Sequence, residues 1–267
     1  MIKRALSIAG SDSGGGAGIQ ADLKAFAACG VHGMTAITAI TAQNTVGVTA
    51  VHAIPPEIII AQVRAIATDI GTDAVKIGML GDATTIEAVA LALDELPEQT
   101  PIVLDPVMVA ESGAQLLDPA AKATLIELLL PRATVVTPNV PEARALAGPD
   151  AKDLDPEELA RAIHSLGPQV VVVTGGHRED ATDVFFDGQR LVEIPGARHP
   201  GDAAHGSGCT HSSVLAARLA LGDDPLEAAR AAKELAARAV ANGLTEIGAG
   251  PGPVDILGLV GLTSPPR

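Results

Sequence analysis

The chain of 267 residues has no tryptophan and no tyrosine, and phenylalanine occurs three times. Its core must therefore come from Ala, Val, Leu and Ile, and a flat ring ligand finds almost no aromatic surface to stack on. Cysteine is also scarce, with Cys29 and Cys209 the two thiols. Two cysteines make neither a disulfide framework nor a zinc-site spacing, so a reducing compartment is expected. Positive charge is short as well. Eighteen Lys and Arg stand against 32 Asp and Glu, a formal net charge of −14. That balance disfavours nucleic acid and anionic membrane as partners. No run of about 18 apolar residues exists to span a bilayer. The opening Met1-Ile2-Lys3-Arg4-Ala5-Leu6 enters a strand-like stretch at once, without a signal peptide's apolar segment and cleavage site. A cytoplasmic protein is the expectation.

What the chain does have is alternation. Strand patterns fall at Ala5–Ala9, Met34–Thr41, Ala74–Ile77, Ile102–Leu104, Thr134–Val136 and Val170–Val173. Helical spacing marks Gly16–Cys29, Pro56–Ile70, Ala83–Leu96, Pro119–Leu130, Asn139–Ala147, Asp155–Leu166, Ser207–Leu221 and Pro225–Asn242. Phe185-Phe186 and Leu191–Ile194 flank an Asp-Gly turn signal and read as a hairpin. Strand–helix alternation of this kind predicts a three-layer α/β/α fold with a mainly parallel central sheet, formed by one domain over 1–267. A small edge flap is expected beside it.

In such sheets ligands bind beyond the carboxyl ends of the strands. Polar and glycine-rich clusters fall there in order, from Gly10–Asp22 to Thr41–Thr45, Lys76–Leu80, Asp105–Met108, Thr137–Glu142 and Thr174–His177. The last is His205-Gly206-Ser207-Gly208-Cys209-Thr210, which runs into an alanine-rich helical segment. The first amides of a helix lack intrahelical acceptors and sit at the positive end of its dipole. Glycines let them approach an anion closely. Cys209 stands where a helix start lowers a thiol's pKa. An anion cradle beside a potential base suggests phosphoryl transfer onto a small-molecule hydroxyl. The Gly14–Gly18 run is not a dinucleotide fingerprint, and no Gly-Lys-Ser/Thr follows it to make a P-loop. Glycines at 14–18 and 201–208 suggest a lid that hinges over substrate.

These segments together resemble the hydroxymethylpyrimidine/phosphomethylpyrimidine kinases of the ribokinase-like superfamily. The resemblance rests on Ala9–Asp22, Thr41-Ala42-Gln43-Asn44-Thr45, Val103–Val109, Thr137–Ala143 and His205–Thr210, in family order, and runs from about residue 4 to Pro253. It implies ATP-dependent phosphorylation of 4-amino-5-hydroxymethyl-2-methylpyrimidine, and then of its monophosphate to the pyrophosphate. By resemblance Gln43 hydrogen-bonds the aminopyrimidine. A carboxamide offers one donor and one acceptor, which suits a ring nitrogen beside an exocyclic amine. Gly10, Asp22, Met79 and Val107 line the same pocket. Cys209 takes the catalytic-base position, and Gly206, Ser207 and Gly208 form the anion hole. Asp105 and Glu142 handle Mg2+, while Thr174, Gly176 and His205 flank the nucleotide. A homodimer is a further family implication.

The chain departs from its relatives at three positions. Lysine is usual where Thr174 stands, and common where Glu111 and Asp202 stand. A lysine acts on phosphate as a point charge, so its loss is expected to weaken ATP binding or the second phosphorylation. Lys76, Arg178 or Arg198 could substitute. Two alternatives compete with the pyrimidine kinase. One is a pyridoxal kinase of the same superfamily, and the other a non-catalytic pyrimidine binder.

Overall fold

The structure, a computed structural model, describes residues 1–109, 113, 115–176, 180–199 and 203–263. Glu111, His177, Arg178 and Asp202, singled out above, lie outside the described residues.

Nine strands form one sheet. In chain order they are β1 (Arg4–Asp12), β2 (His32–Gln43), β3 (Val48–Ala53), β4 (Ala74–Ile77), β5 (Ile102–Leu104), β6 (Val135–Val136), β7 (Val170–Val173), β8 (Asp183–Phe186) and β9 (Leu191–Ile194). Their spatial order is β3-β2-β1-β4-β5-β6-β7-β8-β9. The six strands from β2 to β7 in that order are parallel, while β3 at one edge and the β8–β9 hairpin at the other run antiparallel.

The sheet separates two apolar layers through the two-residue period of its strands. Leu6, Ile8, Leu104, Val171 and Val173 point into one layer with Ile59, Ile86 and Leu159. Ala5, Val103, Val170 and Val172 point the other way, onto Phe26, Val214, Leu215 and Ala229. The first layer is closed by helices α2 (Pro56–Asp69), α3 (Ala83–Leu93), α4 (Lys122–Leu128), α5 (Val140–Ala147) and α6 (Pro156–His164). The second is closed by α1 (Gly18–Ala28), α7 (Ser207–Leu221) and α8 (Pro225–Ala241). Buried Ala228, Ala229, Ala232 and Ala236 let α8 lie close on α7. Phe26 and Phe185 are fully buried in this second layer. A short α9 (Leu259–Thr263) follows.

The α/β architecture and the parallel core agree with the sequence pattern. Two features differ. β1 continues past Ala9 to Asp12, through a register shift between Ala9 and Ser11. β3 has no counterpart among the expected strands, because its residues are nearly all exposed and show no core-facing alternation.

Candidate active site

Strand order reverses at β1, which has β2 and β3 on one side and β4 to β9 on the other. Ligands in open parallel sheets bind outside the carboxyl ends of the strands at such a point. Asp12 and Gln43 end β1 and β2, Met79 follows β4, Asp105 follows β5, and Thr174 follows β7.

Asp12 organises the glycine loop. Its Oδ1 accepts the Gly14 N–H at 2.8 Å, and its Oδ2 accepts those of Gly16 and Ala17 at 3.0 and 2.8 Å. His205 Nε2 lies 3.1 Å from the same Oδ2. Burial alone would raise the Asp12 pKa, but His205 and these amides hold it below the ordinary carboxylate value. A Cβ on Gly16 would stand 2.2 Å from the His205 ring. The 14–18 run is thus tied down, so the expected hinge does not lie there. The ring of His205, placed by resemblance at the nucleotide, is spent on Asp12.

Gly206 starts α7 with φ +82°, a conformation that favours glycine. The Gly208 and Cys209 N–H groups find no acceptor among the described residues. A Cβ on Gly208 would meet nothing within 4 Å. The helix start therefore presents free amides to open space, as an anion hole requires.

Cys209 corrects one expectation. Burial pushes its thiol up to about 12, opposed by the Lys76 charge and the Gly18 amide and reinforced by Asp22 and Asp105. The helix start does not lower it, because desolvation and two carboxylates outweigh the favourable groups.

Beneath Cys209 lies a buried ion pair. Lys76 Nζ sits 2.9 and 3.1 Å from the two carboxylate oxygens of Asp22, and both side chains are wholly buried. Ser7 Oγ and Ser213 Oγ donate to Asp22 at 2.5 and 2.7 Å. Gly78 leaves the room, since a Cβ there would stand 2.8 Å from Lys76 Nζ. Asp22, expected along the pocket wall, is placed under the site with its oxygens committed. Lys76 is likewise held below and does not replace a phosphate-facing lysine.

Asp105 is buried and accepts from Ser212 Oγ at 2.9 Å. Glu142 sits in the first turn of α5 and makes a capping box with Asn139, with bonds of 3.0 and 2.9 Å. The Met108 N–H also reaches Glu142 Oε1 at 3.4 Å. Burial and the neighbouring Asp105 push Glu142 up to about 8. Burial likewise raises Asp105, against the pull of Lys76 and Ser212. Two carboxylates that disfavour each other's ionisation suit a divalent cation, which removes the repulsion. No group of three or more His, Cys, Asp and Glu side chains is gathered for a metal among the described residues. One or two carboxylates with waters and substrate phosphates is the usual Mg2+ arrangement, so the pair fits.

Among the pocket residues expected from sequence, Gly10 and Met79 meet. A Cβ on Gly10 would stand 2.4 Å from Met79 Cε. Gln43 Oε1 accepts from Thr41 Oγ1 at 3.1 Å, and its Nε2 has no partner among the described residues. The Gln43 backbone is bound to Ser13 Oγ through both N–H and C=O, at 2.8 Å each. The Asp12 loop thus links Gln43 to Gly18 and Cys209. Val107 is half-buried beside Asp105.

On the far side, the Thr174 N–H donates to Pro138 O at 2.8 Å. Gly176 is exposed. Asp183 collects the Gly175 N–H at 2.7 Å, Lys233 Nζ at 2.6 Å and His211 Nε2 at 3.1 Å. Lys233 also lines a cavity of about 300 Å³ with Arg230, Arg238, His199 and Gly196. Sequence reasoning missed Asp12, the Asp183 cluster and the Lys76–Asp22 pair. A lone lysine inside the apolar Ala-Val-Lys-Ile strand was the available signal for the last.

This sheet order, with a free helix start and a carboxylate pair beyond the carboxyl ends of its strands, defines a ribokinase-like phosphotransferase. The chain belongs to the phosphomethylpyrimidine kinase family, whose model matches residues 12–255. A hydroxymethylpyrimidine/phosphomethylpyrimidine kinase of Rhizobium meliloti is 52% identical, over 95% of this chain and 97% of its own. One of Bacillus subtilis is 45% identical, over 95% and 94%. Among solved structures, an ADP complex of a Bacillus subtilis pyridoxal kinase superposes with TM-score 0.87 at 40% identity, covering 97% of this chain and 99% of that one.

Proposed function

We propose that this chain transfers the γ-phosphoryl group of ATP to the hydroxymethyl oxygen of 4-amino-5-hydroxymethyl-2-methylpyrimidine, and then phosphorylates the monophosphate to the pyrophosphate. The observation that carries this reading is the free-amide start of α7, set against the Asp12 loop and the Asp105–Glu142 pair. Gln43 reads the aminopyrimidine with its unspent Nε2 and the remaining lone pair of Oε1. Met79 and Val107 supply apolar walls where no aromatic ring is at hand, and Gly10 leaves room beside Met79. Gly206 shapes the loop and the Gly208 and Cys209 amides face the transferring group, while the Ser207 N–H, expected in the anion hole, is spent on Ala204 O at 2.9 Å. The Cys209 thiol first loses its own proton to solvent, and the thiolate so formed takes the hydroxyl proton as the new O–P bond forms and the bond to the ADP oxygen breaks. Phosphoryl transfer leaves a protein mostly positioning and charge stabilisation to do.

Asp105 and Glu142 would hold Mg2+, which would supply charge neutralisation on the phosphates. The cavity on α8, lined by Arg230, Lys233 and Arg238 with Glu234 beside them, suits a polyphosphate ligand and is joined to Gly175 through Lys233 and Asp183. Thr174 and Gly176 then flank the nucleotide, while His205 acts through the Asp12 loop. No described helix is long and apolar enough to cross a membrane. We place the protein in the cytoplasm, as a homodimer, with small molecules rather than nucleic acid or membrane as its partners.

The likeness to a pyridoxal kinase structure supports a second reading, pyridoxal as an additional substrate. Mass analysis of products from the pyrimidine or pyridoxal with ATP and Mg2+ tests both. A pyrimidine monophosphate followed by the pyrophosphate is the expected result. Phosphorylation of pyridoxal alone would overturn the main reading, and binding of the pyrimidine without turnover would make the chain a binder.

A further inference from the structure

The Lys76–Asp22 pair has no part in the chemistry described so far, yet it occupies the most costly place a charge can take. Both side chains are wholly buried within a parallel sheet and its covering helices. Desolvation makes such a pair a weak source of stability, and apolar residues of similar size often serve as well or better. Asp22 is nonetheless fully served, by Ser7 and Ser213 besides Lys76. Lys76 differs. Its three ammonium protons have the Asp22 oxygens as their only acceptors among the described residues.

The helix geometry says what the spare charge faces. Cys209, Ser212 and Ser213 stand at i, i+3 and i+4 on α7, and so share one face. Ser213 rests on Asp22, and Ser212 rests on Asp105. Cys209 completes that face, one turn nearer the free amides. Lys76 from β4 reaches this face through Asp22 of α1, which takes the Ser213 hydroxyl at 2.7 Å and the Lys76 ammonium at 2.9 and 3.1 Å. Among the described residues, Lys76 is the one cation hydrogen-bonded into this Asp22–Ser213 and Asp105–Ser212 network.

We propose that Lys76 is a positioning residue for the transfer step, its buried ammonium supplying the countercharge for the Cys209 sulfur when that sulfur is negative and takes the substrate hydroxyl proton. The Asp22 carboxylate and its two serines hold the ammonium in place against α7. This inference rests on the reading of Cys209 as the base.

The test measures the thiol itself. In a Cys29→Ser background Cys209 is the only thiol, so iodoacetamide consumption at pH 8–9.5 reports its thiolate directly. Raising a thiol's pKa by one unit cuts its thiolate tenfold but makes that thiolate more nucleophilic, a net slowing of about threefold. Lys76→Met is expected to slow alkylation by at least that factor and to lower kcat more than it raises KM for the pyrimidine. Lys76→Arg should recover most of both. The double variant Lys76→Met/Asp22→Asn leaves no lone buried charge, and its amide can accept from one serine hydroxyl and donate to the other, which guards against a folding failure. It should also alkylate more slowly, because the thiolate then has no buried cation to face. Wild-type alkylation rates in the Met-containing variants, with only the melting temperature changed, would overturn the proposal. A Cys209→Ala protein with full turnover would sink the base reading instead, while the alkylation rates would still decide what Lys76 does.

Discussion

Replacing Gly206 by alanine isolates the geometry of the anion hole. The residue has φ +82°, a left-handed conformation that costs an L side chain about 1–2 kcal/mol. Space is the larger obstacle. The new Cβ would stand 1.8 Å from Gly16 O, where 3.0 Å is the closest that real Cβ contacts come. One loop must therefore retreat by about 1.2 Å (3.0 minus 1.8). Gly16 is itself fixed by its N–H bond to Asp12 and by the His205 ring, so the α7 start is the part that yields.

A displacement of about 1 Å in a positioning group can cost about 10²-fold in rate. Gly206→Ala should thus lower kcat by about that factor, and strain of 1–2 kcal/mol should lower Tm by about 2–8 °C. Gly208→Ala is the matched control. Its Cβ would touch nothing within 4 Å, so Tm should stay near wild type while the methyl group crowds the transferring phosphoryl. Steady-state kinetics and thermal melts of both variants decide the matter. Wild-type kcat in Gly206→Ala would refute the role of this helix start. A large loss of Tm in Gly208→Ala would refute the packing on which the comparison rests.

Three further outcomes are expected. Cys209→Ala should lose turnover yet bind the pyrimidine in a calorimeter. With the thiol at about 12, kcat of the wild type should still climb about tenfold per pH unit across neutral pH; a plateau beginning near pH 7 would exclude this thiol as the base. Glu142, at about 8, is raised well above an unfolded carboxyl, so its contribution to stability is full below about pH 4.3 and lost as pH rises through 8. Mg2+ binds the ionised form, so it should raise Tm more at pH 8.5 than at 6.5. Glu142→Gln should flatten both trends, and an unchanged Mg2+ increment in that variant would remove Glu142 from the metal site. Thr174→Lys should lower KM for ATP and speed the second phosphorylation more than the first, as the monophosphate substrate carries extra negative charge. Equal effects on the two steps, read by product mass against time, would break the link between that position and the second step.

The parallel core was legible because strand residues such as Val103 and Val171 are buried on both faces and read as apolar runs between helical periods. The site's location was legible for a related reason. Strand ends carry the polar and glycine residues that a core cannot accept. What escaped was pairing across distance. Asp12 with His205 and Asp183 with Lys233 join residues 193 and 50 positions apart, and nothing in local spacing announces either contact. The Cys209 thiol misled for another reason. A helix start is visible in sequence, whereas Asp22 and Asp105 reach the sulfur only through the fold. β3 escaped because strand patterns are recognised by their buried face, and this edge strand has none.

Charge poses the remaining puzzle. A chain with net charge −14 is proposed to bind a polyanion. Net charge decides association at long range, but at physiological salt exposed charges act over only about 8 Å. Within that radius the sign is set locally. Lys233, Arg230 and Arg238 fall on one face of α8 and line one cavity with Glu234, Lys233 being paired with Asp183 and Arg230 with Glu227. Lys76 is screened by no solvent at all. Acidic residues elsewhere repel nucleic acid, which needs a broad basic surface, without cancelling a small cationic site. The same reasoning bears on Thr174. Its hydroxyl and amide both turn to the Pro138 carbonyl, tying the end of β7 to the residue before the Asn139 cap of Glu142. A lysine at that place would add a charge to the phosphates. The threonine instead steadies the Asn139 cap that holds Glu142.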